Sequence, residues 1–150
     1  MIRRADFKIK NSIDKIYQIA SDHKSLWELV TPLESVQYLE SIKDVCICSL
    51  KGSKLSEKEP ARDTVVACQA KKYGDCFTLV RSSIQYDKAP KFAEGHLQAI
   101  ISLSGMVVYK KEAEDVFVSF ISVLDTEKPF LDDTFKNLDV MMLERIKKFR

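Results

Sequence analysis

At 150 residues, with 45% apolar and 31% charged residues and a formal net charge of +2, the chain has the length and balance of one ordinary globular domain, 1–150. So small a charge argues against a nucleic-acid-binding surface. No apolar run reaches the roughly 20 residues that span a bilayer, and the N-terminal MIRRADFKIK is basic but lacks the apolar stretch of a secretory signal.

Ala5-Asp6-Phe7-Lys8-Ile9-Lys10 alternates apolar and polar residues, which predicts a strand with one buried face. Asn11-Ser12 supplies a helix cap, and Ile13, Ile16, Tyr17 and Ala20 follow at helical spacing. A second short helix is expected from about Lys24 to Val30, anchored by Trp27 and ended by Thr31-Pro32. The period then changes to two. Val36–Leu39 and Val45–Leu50 form a hairpin around Ile42-Lys43-Asp44, and a polar loop runs from Lys51 to Pro60. Strands at about Arg62–Lys71 and Asp75–Gln85 meet at a tight turn, Tyr73-Gly74-Asp75. A loop containing Pro90 leads to a long strand, about His96–Tyr109, and Val116–Leu124 is the last strand.

After Lys128-Pro129, Leu131, Phe135, Leu138, Met142, Ile146 and Phe149 recur at steps of three or four. This predicts an amphipathic helix of about five turns. Asp132 and Asp133 near its start, with Lys147, Lys148 and Arg150 at its end, suit the helix dipole. The expected fold class is α+β: a curved seven-stranded antiparallel sheet with two short helices and one long C-terminal helix, in two layers around one core.

Cys46 and Cys48 form C-x-C within a strand, while Cys68 and Cys76 stand singly, and neither His23 nor His96 completes a zinc pattern. The cysteines read as buried free thiols. Unpaired thiols favour a reducing compartment, so a cytoplasmic location is expected. The residues call for no metal and no cofactor.

Pro60-Ala61-Arg62-Asp63-Thr64-Val65 resembles the P-R-D-F/T-V signature of START domains, the lipid-transfer domains related to the steroidogenic acute regulatory protein. Arg81-Ser82-Ser83-Ile84 is similar to that family's R/S-S-V strand. Gly95-His96-Leu97-Gln98-Ala99, followed by Ser104-Gly105, resembles its G-x-x-R-A … S-G segment, with Gln98 in place of the arginine. The likeness runs from about residue 5 to the C-terminus. START domains usually carry a further N-terminal helix and two strands. Without them the layout resembles the minimal helix-grip form of pollen-allergen-like and polyketide-cyclase-like relatives. The resemblance implies an apolar cavity under the C-terminal helix, holding a lipid or sterol-like ligand. It also implies that the acid and base that sterol carriers place inside that cavity fall here at Leu50 and Cys68.

Strand alternation sorts side chains by face. The expected ligand-binding residues are Leu50, Val66, Cys68, Leu97, Ala99, Ile101, Leu103, Val118 and Phe120 on the strands, with Phe135, Leu138 and Met142 on the helix. The same residues would equally make a solid core, since apolar periodicity marks burial and not emptiness. Lys54, Leu55 and Lys58 in the 51–60 loop, with Met141 on the helix, are expected to form a gate that touches membrane surfaces transiently. Arg62 and Asp63 point to opposite faces and are read as pins for that loop.

Three functions remain open on this sequence. The first is a monomeric, non-catalytic lipid carrier or sensor. The second is a cyclase- or hydrolase-type enzyme, for which Tyr38, Ser82 and His96 are loose candidates and no nucleophile motif or carboxylate pair is present. The third is a co-chaperone-like interaction module with a filled interior.

Overall fold

The computed structural model describes residues 2–22, 33–112 and 115–126. They form one sheet from seven strands: β1 (Ile2–Ile9), β2 (Leu33–Ile42), β3 (Val45–Gly52), β4 (Arg62–Tyr73), β5 (Cys76–Ser83), β6 (Leu97–Glu112) and β7 (Asp115–Thr126). Their order across the sheet is β1-β7-β6-β5-β4-β3-β2. One helix, α1 (Ile13–Ser21), follows β1. The expected second short helix, with Trp27, and the expected C-terminal helix fall outside the described residues.

Local chemistry accounts for the start of α1 and for the β2–β3 and β4–β5 turns. Ser12 caps α1, its hydroxyl accepting from Lys15 N at 3.2 Å, and Asp14 sits in the first turn, where the dipole favours a carboxylate. Gly74 takes φ 55° as the first of two loop residues between β4 and β5, a left-handed position that costs glycine little. Lys43 occupies the same region, φ 57°, in the β2–β3 turn. Its neighbour Asp44 is tied to Lys71 at 3.1 Å.

Directly paired residues share a face of the sheet, so the register defines an inner face, the one on which α1 lies. Ile13, Ile16 and Ala20 of α1 pack with Ile9, Phe77, Val108, Val116 and Val118. Phe77, 0% exposed, lies at the centre and meets Tyr17 edge-on, with ring centroids 5.5 Å apart. A second inner-face cluster joins Cys46, Cys48, Leu50, Val66 and Cys68, with Leu33, Val36 and Ile101 packed against it.

Two features depart from simple alternation. First, the sheet is not wholly antiparallel. Beyond the end of β5, residues Arg62 and Asp63 of β4 pair in parallel with Leu97 and Gln98 of β6. Second, β6 slips register between Ile101 and Leu103. Ser102 is the extra residue of this bulge, and alternation restarts one step out of phase. Leu103 therefore sits on the outer face, 47% exposed, while Ser104 turns inward and is buried. The expected placement of Leu103 beside Ile101 on one ligand-facing row is thereby overturned. The slip also leaves Val107 on the outer face with Val80 and Ile121, all exposed.

Gly52, at the end of β3, has no room for a side chain: a Cβ there would run into the backbone carbonyl of Arg62. Gly52→Ala should therefore destabilise the protein by about 3 kcal/mol, the upper range for overpacking, read as a lower midpoint in urea unfolding. Gly74→Ala meets no neighbour and should cost only the smaller penalty of a positive φ, about 1 kcal/mol.

Candidate functional site: the inner face of the sheet

The centre of the inner face is a row of five directly paired residues, Cys46, Cys68, Arg81, Ser104 and Ser122, on β3, β4, β5, β6 and β7 in turn. β5 is the middle strand of the seven, so Arg81 stands at the middle of the face. It is only 4% exposed. Its Nε donates to Ser104 Oγ at 3.2 Å, and its guanidinium lies 5.8 Å from the centre of the Phe120 ring. Burial pulls its pKa down to about 10, with Cys68 opposing the shift, which leaves it cationic at neutral pH. Beside it, Thr64 and Ser83 share a hydroxyl hydrogen bond of 2.8 Å, and Ser83 Oγ accepts from Ile101 N at 2.9 Å.

Around this polar centre the face is apolar or thiol-lined. Leu50, Val66 and Cys68 are buried together in the second cluster, with Ile101 half-buried against it. Val118 is buried in the α1 cluster, and Ala99 is buried near the start of β6. Leu97 and Phe120 are half-buried. Leu50 and Cys68, where the resemblance put an acid and a base, bear no acid–base pair. The charged side chain at the centre of this face is Arg81, directly across the ladder from Cys68. Phe135, Leu138, Met141 and Met142 lie outside the described residues.

The thiols are close-packed. Cys46 Sγ and Cys48 Sγ are 3.4 Å apart. Burial, then the Cys46 contact, pushes the Cys48 thiol well above its ordinary value. Both line a cleft of about 390 Å³ between the end of α1 (Ser21, Asp22) and the β2–β3 hairpin (Val36, Tyr38, Ser41, Lys43, Asp44). Leu50, Val66 and Cys68 do not line this cleft among the described residues, although they adjoin its two cysteines.

At the β3 end, Asp63 gathers three chain segments. Its carboxylate accepts from Gly52 N at 3.2 Å and Ala93 N at 2.9 Å, and His96 Nδ1 lies 2.7 Å away. Arg62 and Glu59 form a buried pair at 3.6 Å on the other side of the same loop. The 51–60 loop is thus anchored at both ends, with Lys54 and Lys58 exposed between the anchors and Leu55 half-buried.

The loose catalytic candidates are not brought together. Tyr38 is 60% exposed on β2. Ser82 hydrogen-bonds to the carbonyls of Ile101 and Ser102, and His96 is held by Asp63. No three metal-ligating side chains cluster among the described residues, and no described helix is long and apolar enough to cross a membrane.

Sequence reading missed Arg81 and Ser104 as inner-face residues. Arg81 was visible: Phe77, Leu79 and Arg81 have one parity on β5, so a buried Phe77 brings Arg81 inward. Ser104 was not visible, because its facing depends on the bulge at Ser102.

No protein-family model and no curated protein matches the sequence. Solved structures match its fold over nearly the whole chain. The human StAR-related lipid transfer protein 5 superposes with a TM-score of 0.83 at 11% identity, covering 99% of this chain and 74% of that one. The lipid transfer and protein localization domain of human StarD13 gives 0.79 at 15% identity, covering 99% and 76%. A Streptomyces aromatase/cyclase, Zhui, gives 0.56 at 12% identity, covering 99% and 87%. The chain has the START-domain fold.

Two outcomes test this geometry. Asp63→Ala should strip a buried acceptor from three donors and cost about 3 kcal/mol, with faster hydrogen exchange at the Gly52 and Ala93 amides. Because a raised pKa keeps a thiol protonated to higher pH, Cys48 should resist iodoacetamide in the folded protein from pH 7 to 9. It should react only on unfolding, as read by peptide mass mapping.

Proposed function

We propose that this chain is a non-catalytic carrier or sensor that encloses one lipid or other hydrophobic ligand, a sterol-like molecule among the possibilities, against the inner face of its sheet. One observation carries the reading. α1 packs on the cluster built around Phe77, Val108 and Val118, while Cys46, Cys48, Leu50, Val66 and Cys68 form a second apolar cluster on the same face, one that includes no described residue of α1. The START-domain fold supports it, since two of the structures that share this fold are described as lipid transfer proteins.

The driving force is burial, about 0.8 kcal/mol for each CH₂ withdrawn from water. Leu50, Val66, Cys68, Leu97, Ala99, Ile101, Val118 and Phe120 supply the wall from the sheet, and Phe135, Leu138 and Met142 supply it from the C-terminal segment. Lys54, Leu55 and Lys58, with Met141, make the transient contact with a membrane surface: lysines meet anionic headgroups while the leucine enters the interface. The protein works as a cytoplasmic monomer, with four reduced cysteines and no nucleic-acid partner.

The fold likeness to an aromatase/cyclase favours a second reading, an enzyme on the same scaffold. That reading needs an acid or base within hydrogen-bond reach of a bound substrate. Tyr38 is exposed on β2, Ser82 is hydrogen-bonded to the β6 backbone and His96, just before β6, is held by Asp63, which weighs against it. Native mass spectrometry of the protein as isolated, followed by lipid extraction, is expected to find one lipid per chain, and vesicle assays are expected to show transfer. A protein that carries no lipid, accepts none and transfers none would overturn the carrier reading.

A further inference from the structure

We propose that the Thr64 hydroxyl donates a hydrogen bond to the bound ligand, and that the ligand therefore carries an uncharged oxygen acceptor, such as the carbonyl of an ester or ketone. The proposal rests on the ligand-binding reading above and names the polar group that the ligand of that site presents.

Proton counting is the first argument. Thr64 Oγ1 and Ser83 Oγ lie 2.8 Å apart, and Ser83 Oγ also accepts from Ile101 N at 2.9 Å. Two hydroxyls bring two protons, and the hydrogen bond between them uses one. Whichever hydroxyl donates, the pair keeps one O–H proton, and neither oxygen has a further partner among the described residues. Ser83 Oγ already meets two partners and Thr64 Oγ1 only one, so the open side of the pair is at Thr64. With Ser83 donating to Thr64, the proton left over is Thr64's own. Thr64 is 5% exposed, which gives water little access to it. A buried donor without an acceptor is costly, and folded proteins rarely leave one.

The surroundings are the second argument. Thr64 is paired directly with Leu50, and Ser83 with Val66, so the hydroxyl pair lies on the inner face beside the second apolar cluster, against which Ile101 also packs. Two residues away along β4 and β5, on the same face, stand Arg62 and Arg81. A guanidinium is a donor only, so neither can accept the spare proton. Both have partners in the chain, among them Glu59 and Ser104, and the proposal asks nothing of their charge. A ligand lying against Leu50, Val66 and Ile101 is placed to bring the missing acceptor. A carbonyl oxygen suits the role, since it accepts, does not donate and is satisfied by one O–H.

Two compounds test this on the full chain: methyl dodecanoate, with and without a heavy-carbon label at its carbonyl, and tetradecane, which has no acceptor. In infrared difference spectra, the ester carbonyl bound to the wild type should absorb at lower frequency than in hexane, the mark of an accepted hydrogen bond. Thr64→Ser should keep that lowering, and Thr64→Val should return the band to its hexane position. In equilibrium dialysis, Thr64→Val should bind the ester about fivefold more weakly than the wild type, the scale of one neutral hydrogen bond, and tetradecane within about twofold of it. Thermal melting checks that each variant folds. If Thr64→Val does not fold, Thr64→Cys, a weaker donor, should reduce the lowering. A wild type that holds the ester with its band at the hexane position, or binds tetradecane and not the ester, would overturn the role of Thr64 while leaving the carrier reading intact. So would a lowering that survives Thr64→Val, or that stays undiminished in Thr64→Cys where that variant stands in for it. Failure to bind ester and hydrocarbon alike would overturn the carrier reading and this proposal with it.

Discussion

β4 and β6 both flank β5, yet their first residues hydrogen-bond to each other beyond its end, Arg62 with Leu97 and Asp63 with Gln98. Two strands held apart by a third can meet only if the sheet bends around the end of the one between them. That short parallel pairing makes the sheet a trough with an inside. Without it, the row from Cys46 to Ser122 would lie on an open surface, where a buried guanidinium and a cluster of thiols would be out of place.

The bend is held by polar atoms at one point. Asp63 accepts from the last residue of β3 and from Ala93, and it faces His96, while Leu97 N donates to Ala61 O at 2.9 Å. A single carboxylate so placed ties the end of β3, the loop before β6 and the start of β4 into one unit. Arg62 and Glu59 do the same for the loop that lies between β3 and β4. Paired charges and satisfied donors are what make such burial tolerable. The Arg-Asp pair that resembles a START signature thus has a mechanical role here, at the rim of the trough and away from its floor.

Much of this was legible in the sequence, because period two is a strong signal when one face is buried. All seven strands lie where alternation placed them, with ends shifted by a few residues, and the cap at Ser12 marked the start of α1. Facing was legible wherever the strand was regular: Leu50, Val66, Cys68 and Val118 are inward as expected. It failed at Leu103, because a bulge depends on the register of the neighbouring strand, which no single stretch of sequence encodes. The parallel pairing of β4 with β6 was equally out of reach, since it joins residues 35 positions apart through the curvature of the whole sheet. Arg81 could have been assigned from parity alone, but a charge in a strand reads by default as facing solvent.

The bulge at Ser102 sets a limit of a different kind on β6. From Leu103 to Tyr109, the facing of each side chain depends on a count of residues and not on its own polarity. Serine and glycine at 104 and 105 are inside or outside only because one residue more than the neighbouring strand requires has been taken up. This strand can therefore exchange one side chain for another far more freely than it can change its number of residues. Drawing Ser102 into the ladder, with no residue lost, would turn Arg81's partner outward and bring Leu103 and Val107 in, inverting the two surfaces of the strand without altering any of its side chains.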